Sequence, residues 1–318
     1  MPAAYLNDIE IYFERSEPRD QASEQPSEQA SEQASEQASE QPSEQPSERA
    51  SAQAPRARLL FINGSGATLA ASQPMLNQFS KHFDLLAHDQ RGLGRTSIPE
   101  GPYTMAQYAA DAAALAEYVG WSSYSVIGVS FGGMVAQELA VTFPDRIESL
   151  ALVCTSPGGA SGSSFPLHTL ADMNTSERAD IGLRILDERF TPEWLDVHPN
   201  DRILADIMAR RGGHEKSTEV LRGEMLQLQA RRHHDVWDRL SVITCPTFVA
   251  SGRYDGIAPI SNGEAIASQI ANSQFRAYEG GHAFFYQDRQ AFPDIIEFLQ
   301  RDSSITTKPA RQKPRMSR

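Results

Sequence analysis

The sequence predicts an α/β fold: a mostly parallel sheet flanked by helices, with a helical cap inserted between two late strands. Three observations predict it. Short apolar runs alternate with stretches of helical periodicity along most of the chain. The apolar run at 125–129 leads into Gly128-Val129-Ser130-Phe131-Gly132, and a helix-like run leads out of it. An acid, Asp255, and a histidine, His282, each follow a later apolar run, and a parallel sheet gathers its reactive groups at such strand ends.

Taken in order, residues 5–14 alternate apolar and polar side chains, as a hairpin or edge strand does. Residues 58–62 read as a buried strand ending in Asn63-Gly64-Ser65-Gly66, and residues 83–87 as another that runs into the turn-rich His88-Asp89-Gln90-Arg91-Gly92-Leu93-Gly94. Apolar residues at helical spacing predict a helix over 104–119, stopped by Gly120. The strand at 125–129 and the helix at 134–143 follow. Residues 150–153 and 247–250 are strands, the second entering Ser251-Gly252-Arg253-Tyr254-Asp255. A helix over 260–270, a strand over 274–278 ending at Gly280-Gly281-His282, and a helix over 292–299 complete the pattern.

One stretch breaks the alternation. Residues 156–240 show helical patterns over 176–190, 200–211, 218–232 and around Trp237, with no good strand. An all-helical excursion between two parallel strands, emerging beside the reactive edge, reads as a cap. Two further segments do not read as folded. Residues 16–55 repeat Ser-Glu-Gln followed by Ala or Pro, too poor in apolar side chains to offset the entropy of ordering, and are expected to be a disordered acidic insert. Residues 303–318 read as a disordered basic tail. The core is therefore 1–15 with 56–155, followed after the cap by 241–302.

Charge divides along the same lines. Of the net −12, the insert carries −7, the tail +5 and the remainder −10, an acidic balance that argues against nucleic acid. Cys154 and Cys245 stand in no metal spacing and read as core thiols of a reducing compartment. Residues 1–10 lack a basic and apolar leader, and no window approaches the length of a membrane span. The expectation is a soluble cytoplasmic protein without a membrane or nucleic-acid partner.

The chemistry is read from three strand ends. A serine hydroxyl is a weak nucleophile at neutral pH and needs a base within reach, itself oriented by a third group. Glycines two positions either side of Ser130 let the backbone turn sharply and lift the hydroxyl above the sheet edge. His282 is the histidine that follows a strand with a glycine pair before it, which makes it the base; Asp255 is the orienting acid. Backbone N–H groups of Phe131 and, from the Asn63–Gly66 loop, Ser65 are the candidate oxyanion donors. No metal or organic cofactor is implied, and the Gly-rich loops lack the Lys-Ser/Thr ending of a phosphate-binding loop.

With these residues in place, the chain resembles the capped α/β-hydrolases over most of residues 5–300. Four matches carry the resemblance: Asn63-Gly64-Ser65-Gly66, the run from Asp89 to Ser97, the Gly128 to Gly132 turn, and the Asp255 and His282 strand ends. The pattern is most similar to members of the 3-oxoadipate enol-lactonase and carboxylesterase kinds. It departs from the family at Asn63, where a His-Gly pair is usual. A serine at position 130 argues against the members of the fold that attack with a carboxylate.

The resemblance implies hydrolysis of a small carboxylic ester or lactone through an acyl-serine. Alternatives are the same triad applied to a thioester, a carbon–carbon bond, peroxide or an acyl acceptor, and a non-catalytic ligand-binding protein; a last one makes the Ser-Glu-Gln insert the functional part. In the cap, Phe165, Phe190, Trp194 and Trp237 could line an apolar acyl pocket but read as core, and Arg178, Arg184, Arg231, Arg232 and the His233-His234 pair could bind a substrate carboxylate, as a lactonase of dicarboxylic acids would require, but read as solvated and outside the site.

Overall fold

The computed structural model describes residues 2–16, 56–211 and 216–302. Apart from Ser16, the repeat at 16–55 lies outside the described residues, as does the tail at 303–318. Ser16 is the last residue of a strand, so the sheet reaches two positions past the alternating pattern at 5–14.

Eight strands form one sheet: β1 (Ala3–Leu6), β2 (Ile9–Ser16), β3 (Arg58–Ile62), β4 (Asp84–His88), β5 (Tyr124–Val129), β6 (Ile147–Val153), β7 (Thr247–Gly252) and β8 (Ser273–Tyr278). Their order across the sheet is β1-β2-β4-β3-β5-β6-β7-β8. β1 and β2 form an antiparallel hairpin whose second strand pairs antiparallel to β4, and all pairs from β4 to β8 are parallel.

Central parallel strands covered on both faces need apolar side chains at every position, and β3 shows it: Leu59, Leu60, Phe61 and Ile62 are all fully buried. The strand alternation sends Leu60 and Ile62 to one face and Leu59 and Phe61 to the other. On the first face they pack with α2 (Met105–Tyr118), α3 (Phe131–Thr142) and α8 (Ile260–Gln269), through residues such as Tyr108, Leu115, Val135 and Ile266. On the second face they meet α1 (Leu69–Phe79) and α9 (Ala291–Asp302), through Leu76, Phe79, Ile295 and Leu299.

Helix ends follow local chemistry. Thr104 opens α2 with a capping box, its hydroxyl accepting the Gln107 N–H while the Gln107 side chain accepts the Thr104 N–H. α3 starts at Phe131 and not three residues later, because the Ser130 carbonyl already accepts the Gly133 and Met134 N–H groups. α1 has no clear apolar period: Pro74 lies inside it and its buried positions are only Leu69, Leu76 and Phe79.

Between β6 and β7 the chain runs through α4 (Thr175–Leu186), α5 (Pro192–Val197), α6 (Pro199–Arg211) and α7 (Thr218–Arg232), with short 3-10 turns. Its one extended pairing among the described residues is an isolated bridge between Gly158 and Asp235. α4 ends four residues short of the 176–190 pattern: Asp187 leaves the helical conformation and turns its buried carboxylate to Arg189. This helical segment touches the sheet-edge loops directly, since the His282 N–H donates to the Leu186 carbonyl at 2.6 Å and the Gly256 N–H to the Ile185 carbonyl at 3.1 Å.

Candidate active site

The turn from β5 into α3 holds Ser130 at φ 57° and ψ −117°, a strained conformation for a residue with a side chain. Close packing enforces it. A Cβ on Gly128 would lie 2.3 Å from the Gly132 carbonyl oxygen, and a Cβ on Gly132 would lie 2.0 Å from the Ile62 carbonyl oxygen. Hydrogen bonds fix the rest: the Ser130 N–H donates to the Val153 carbonyl and the Thr155 hydroxyl to the Ser130 carbonyl, each at 2.8 Å.

Asp255 lies just past β7 and is buried, with Oδ1 accepting the Ile257 and Ala258 N–H groups at 2.8 Å each. Oδ2 is left for His282, whose Nδ1 sits 2.8 Å away. A carboxylate only accepts, so Nδ1 carries the proton and Nε2 is free to act as a base. That Nε2 lies 2.9 Å from the Ser130 hydroxyl oxygen. The three residues named from the sequence are therefore hydrogen-bonded in series.

The Asn63–Gly66 loop runs beside them, and a Cβ on Gly64 would sit 3.5 Å from the Ser130 Cβ. No backbone hydrogen bond among the described residues uses the Ser65 N–H. Phe131, as the first residue of α3, has an N–H without an intrahelical acceptor. Asn63 has its own anchoring: Oδ1 accepts the Ser72 hydroxyl at 2.7 Å, and its carbonyl accepts the Gln90 amide at 2.8 Å. Asp89 braces the same region, its two oxygens taking the N–H groups of Leu69, at the start of α1, and Arg95. Burial pushes the Asp89 carboxyl up, against those two N–H groups and the Arg95 charge. Cys154, directly after β6, is buried and its thiol is held well above the ordinary range by burial, so it stays protonated beside the serine.

The alpha/beta hydrolase fold family profile matches residues 57–289, most of the chain. The chain belongs to that family.

Hydrolase-fold relatives resemble it along nearly their whole length. A 3-oxoadipate enol-lactonase 2 from Acinetobacter baylyi is 24% identical over 78% of this chain and 90% of its own. A poly(3-hydroxyalkanoate) depolymerase from Ectopseudomonas oleovorans is 29% identical over 77% of this chain and 84% of its own. Among solved structures, an enol-lactonase from Burkholderia xenovorans superposes with a TM-score of 0.69 at 20% identity, covering 94% of this chain and 99% of that one, which shows the shared fold.

Some residues of this hydrolase-fold site carried no signal in the sequence. Gln227 of α7, fully buried, accepts the Gly66 N–H on Oε1 at 2.8 Å. Gln287 accepts the Gly281 N–H and donates to Asp187 and Asp201, tying the His282 loop to the helical segment. Of the basic group read as solvated, Arg178, Arg184, Arg232 and His233 are exposed, but Arg231 and His234 are buried; their period on α7 and just beyond it turns them inward. Phe190 is buried and Trp194 stacks on His198. Among the described residues no group of three His, Cys, Asp or Glu side chains could hold a metal ion, and no helix is long and apolar enough to cross a membrane.

Proposed function

We propose that the protein is a serine hydrolase that cleaves a small carboxylic ester or lactone through an acyl-Ser130 intermediate. The observation that carries this reading is His282 bridging Ser130 and Asp255 at 2.9 and 2.8 Å. His282 Nε2 takes the hydroxyl proton as Ser130 Oγ attacks the carbonyl carbon. Asp255 stabilises the imidazolium and holds its orientation. The Ser65 and Phe131 N–H groups are the donors for the oxyanion. Collapse of the tetrahedral adduct breaks the bond to the alkoxy oxygen, which leaves with the proton from His282. Water, deprotonated by the same nitrogen, then releases the acid and restores Ser130.

The enol-lactonase and depolymerase relatives act on such linkages by their names, which supports an ester or lactone substrate. Two cysteines in no metal spacing suit a reducing compartment, and we propose that the protein is cytoplasmic. The test is turnover on a panel of aryl esters, lactones and thioesters. Ser130→Ala should lower kcat/KM on esters by about 10⁴-fold or more. Intact ester turnover in that variant overturns the assignment, and a ligand bound without turnover by the wild type would mark a non-catalytic binding protein.

A further inference from the structure

A second cluster of chemistry lies beside the triad and takes no part in it. A cavity of about 400 Å³ is bounded by Met134, Ser156, Ser163, Arg231, His234 and Asp235, among other residues. It adjoins the site through its walls: the Met134 N–H donates to the Ser130 carbonyl, and Ser156 follows Thr155, whose hydroxyl donates to that same carbonyl.

Arg231 is 6% exposed. One of its nitrogens, Nη1, donates to the Phe165 carbonyl at 2.7 Å, while Nε and Nη2 are buried without a hydrogen-bond partner. Asp255 attracts the guanidinium but has no oxygen to spare, since Oδ1 holds two backbone N–H groups and Oδ2 holds His282. Burial lowers the Arg231 pKa only to about 10, so the group stays charged at neutral pH. Two more residues of the same wall carry unpartnered buried atoms: the Ser156 hydroxyl, and both ring nitrogens of His234, which lies against the Ser156 backbone outside hydrogen-bond geometry. Asp235 is the acid of this wall, and its Oδ1 faces the Trp237 N–H.

A buried charge whose hydrogen bonds are left incomplete is strongly unfavourable unless a ligand completes them, and an arginine fork fits a carboxylate with two parallel hydrogen bonds. We propose that Arg231 anchors a carboxylate subsite, with Ser156 and His234 supplying further hydrogen bonds, so that the preferred ester or lactone carries a free carboxylate. This rests on the serine-hydrolase reading of Ser130. Nε and Nη2 form one edge of the guanidinium, the edge a carboxylate engages, and the Phe165 carbonyl holds the opposite nitrogen.

The test compares a length series of dicarboxylic half-esters with the matching dialkyl esters. Wild type should prefer the best half-ester over its neutral counterpart, and Arg231→Gln should reduce that preference at least about thirtyfold, with Arg231→Lys recovering part of it. A wild type with no preference for the carboxylate, or a folded Arg231→Gln that keeps it, overturns the subsite. Binding gives an independent readout: calorimetric titration of Ser130→Ala with glutarate should show saturable heat that Ser130→Ala/Arg231→Gln lacks. Equal binding by the two proteins also overturns the subsite. Loss of the half-ester preference with Ser130→Ala still inactive defeats the subsite alone, whereas turnover by Ser130→Ala defeats the hydrolase reading and leaves the glutarate result to stand separately.

Discussion

The Gly66 N–H donates to Oε1 of Gln227 at 2.8 Å, so a helix inserted between β6 and β7 holds the loop that carries Ser65. A contact over 161 residues of sequence thereby sets the position of the loop that carries the proposed oxyanion donor Ser65.

Removing that contact should affect chemistry more than folding. Gln227→Ala leaves Gly66, which is exposed, free to bond water, so the stability cost is about 1 kcal/mol. The loosened donor should lower kcat about tenfold on an aryl ester while KM changes little, since the lost interaction is made in the transition state. Steady-state kinetics check this; a rise in KM at constant kcat would place Gln227 in substrate binding instead.

Gly132 tests the packing beneath Ser130. Gly132→Ala puts a methyl 2.0 Å from the Ile62 carbonyl, a backbone atom that cannot swing away. We expect a loss of about 3 kcal/mol or more in urea unfolding, with activity lost in parallel. Gly64→Ala is the contrast. Its methyl would meet nothing closer than 3.4 Å, so the fold should tolerate it.

Stability should fall in mild acid. Burial lowers both His88 and His234 from 6.5 to about 4, so each is neutral in the folded protein while the unfolded chain takes up a proton below pH 6.5. Between pH 6.5 and 4 the unfolded state binds more protons, and stability therefore rises with pH across that window and is lost on acidification. From pH 7 to pH 5 the loss is about 2 kcal/mol for each histidine. Urea unfolding across this range measures it, and a flat profile would contradict the buried neutral state of both rings.

The sheet edge was legible because its chemistry is local. Ser130, Asp255 and His282 each follow an apolar run closely, so one strand end after another announced a reactive group. What holds those groups was not legible. Gln227 and Gln287 sit on polar-looking stretches, and only tertiary packing decides that Gln227 turns inward; the same packing buries Arg231, which lies outside the triad, while its neighbour Arg232 stays exposed. Helix α1 escaped for another reason: Pro74 reads as a breaker, yet the helix accommodates it behind the Thr68 cap. Asp89 stood in a recognisable loop, but its work of joining α1 to that loop appears only once the two are folded together.

The central claim is that Ser130 is the nucleophile, and covalent labelling tests it most directly. Treatment of the wild type with a fluorophosphonate should add one label per chain, located by peptide mass spectrometry on Ser130, with activity lost in proportion. Label on another residue, or equal labelling of Ser130→Ala, would contradict the account.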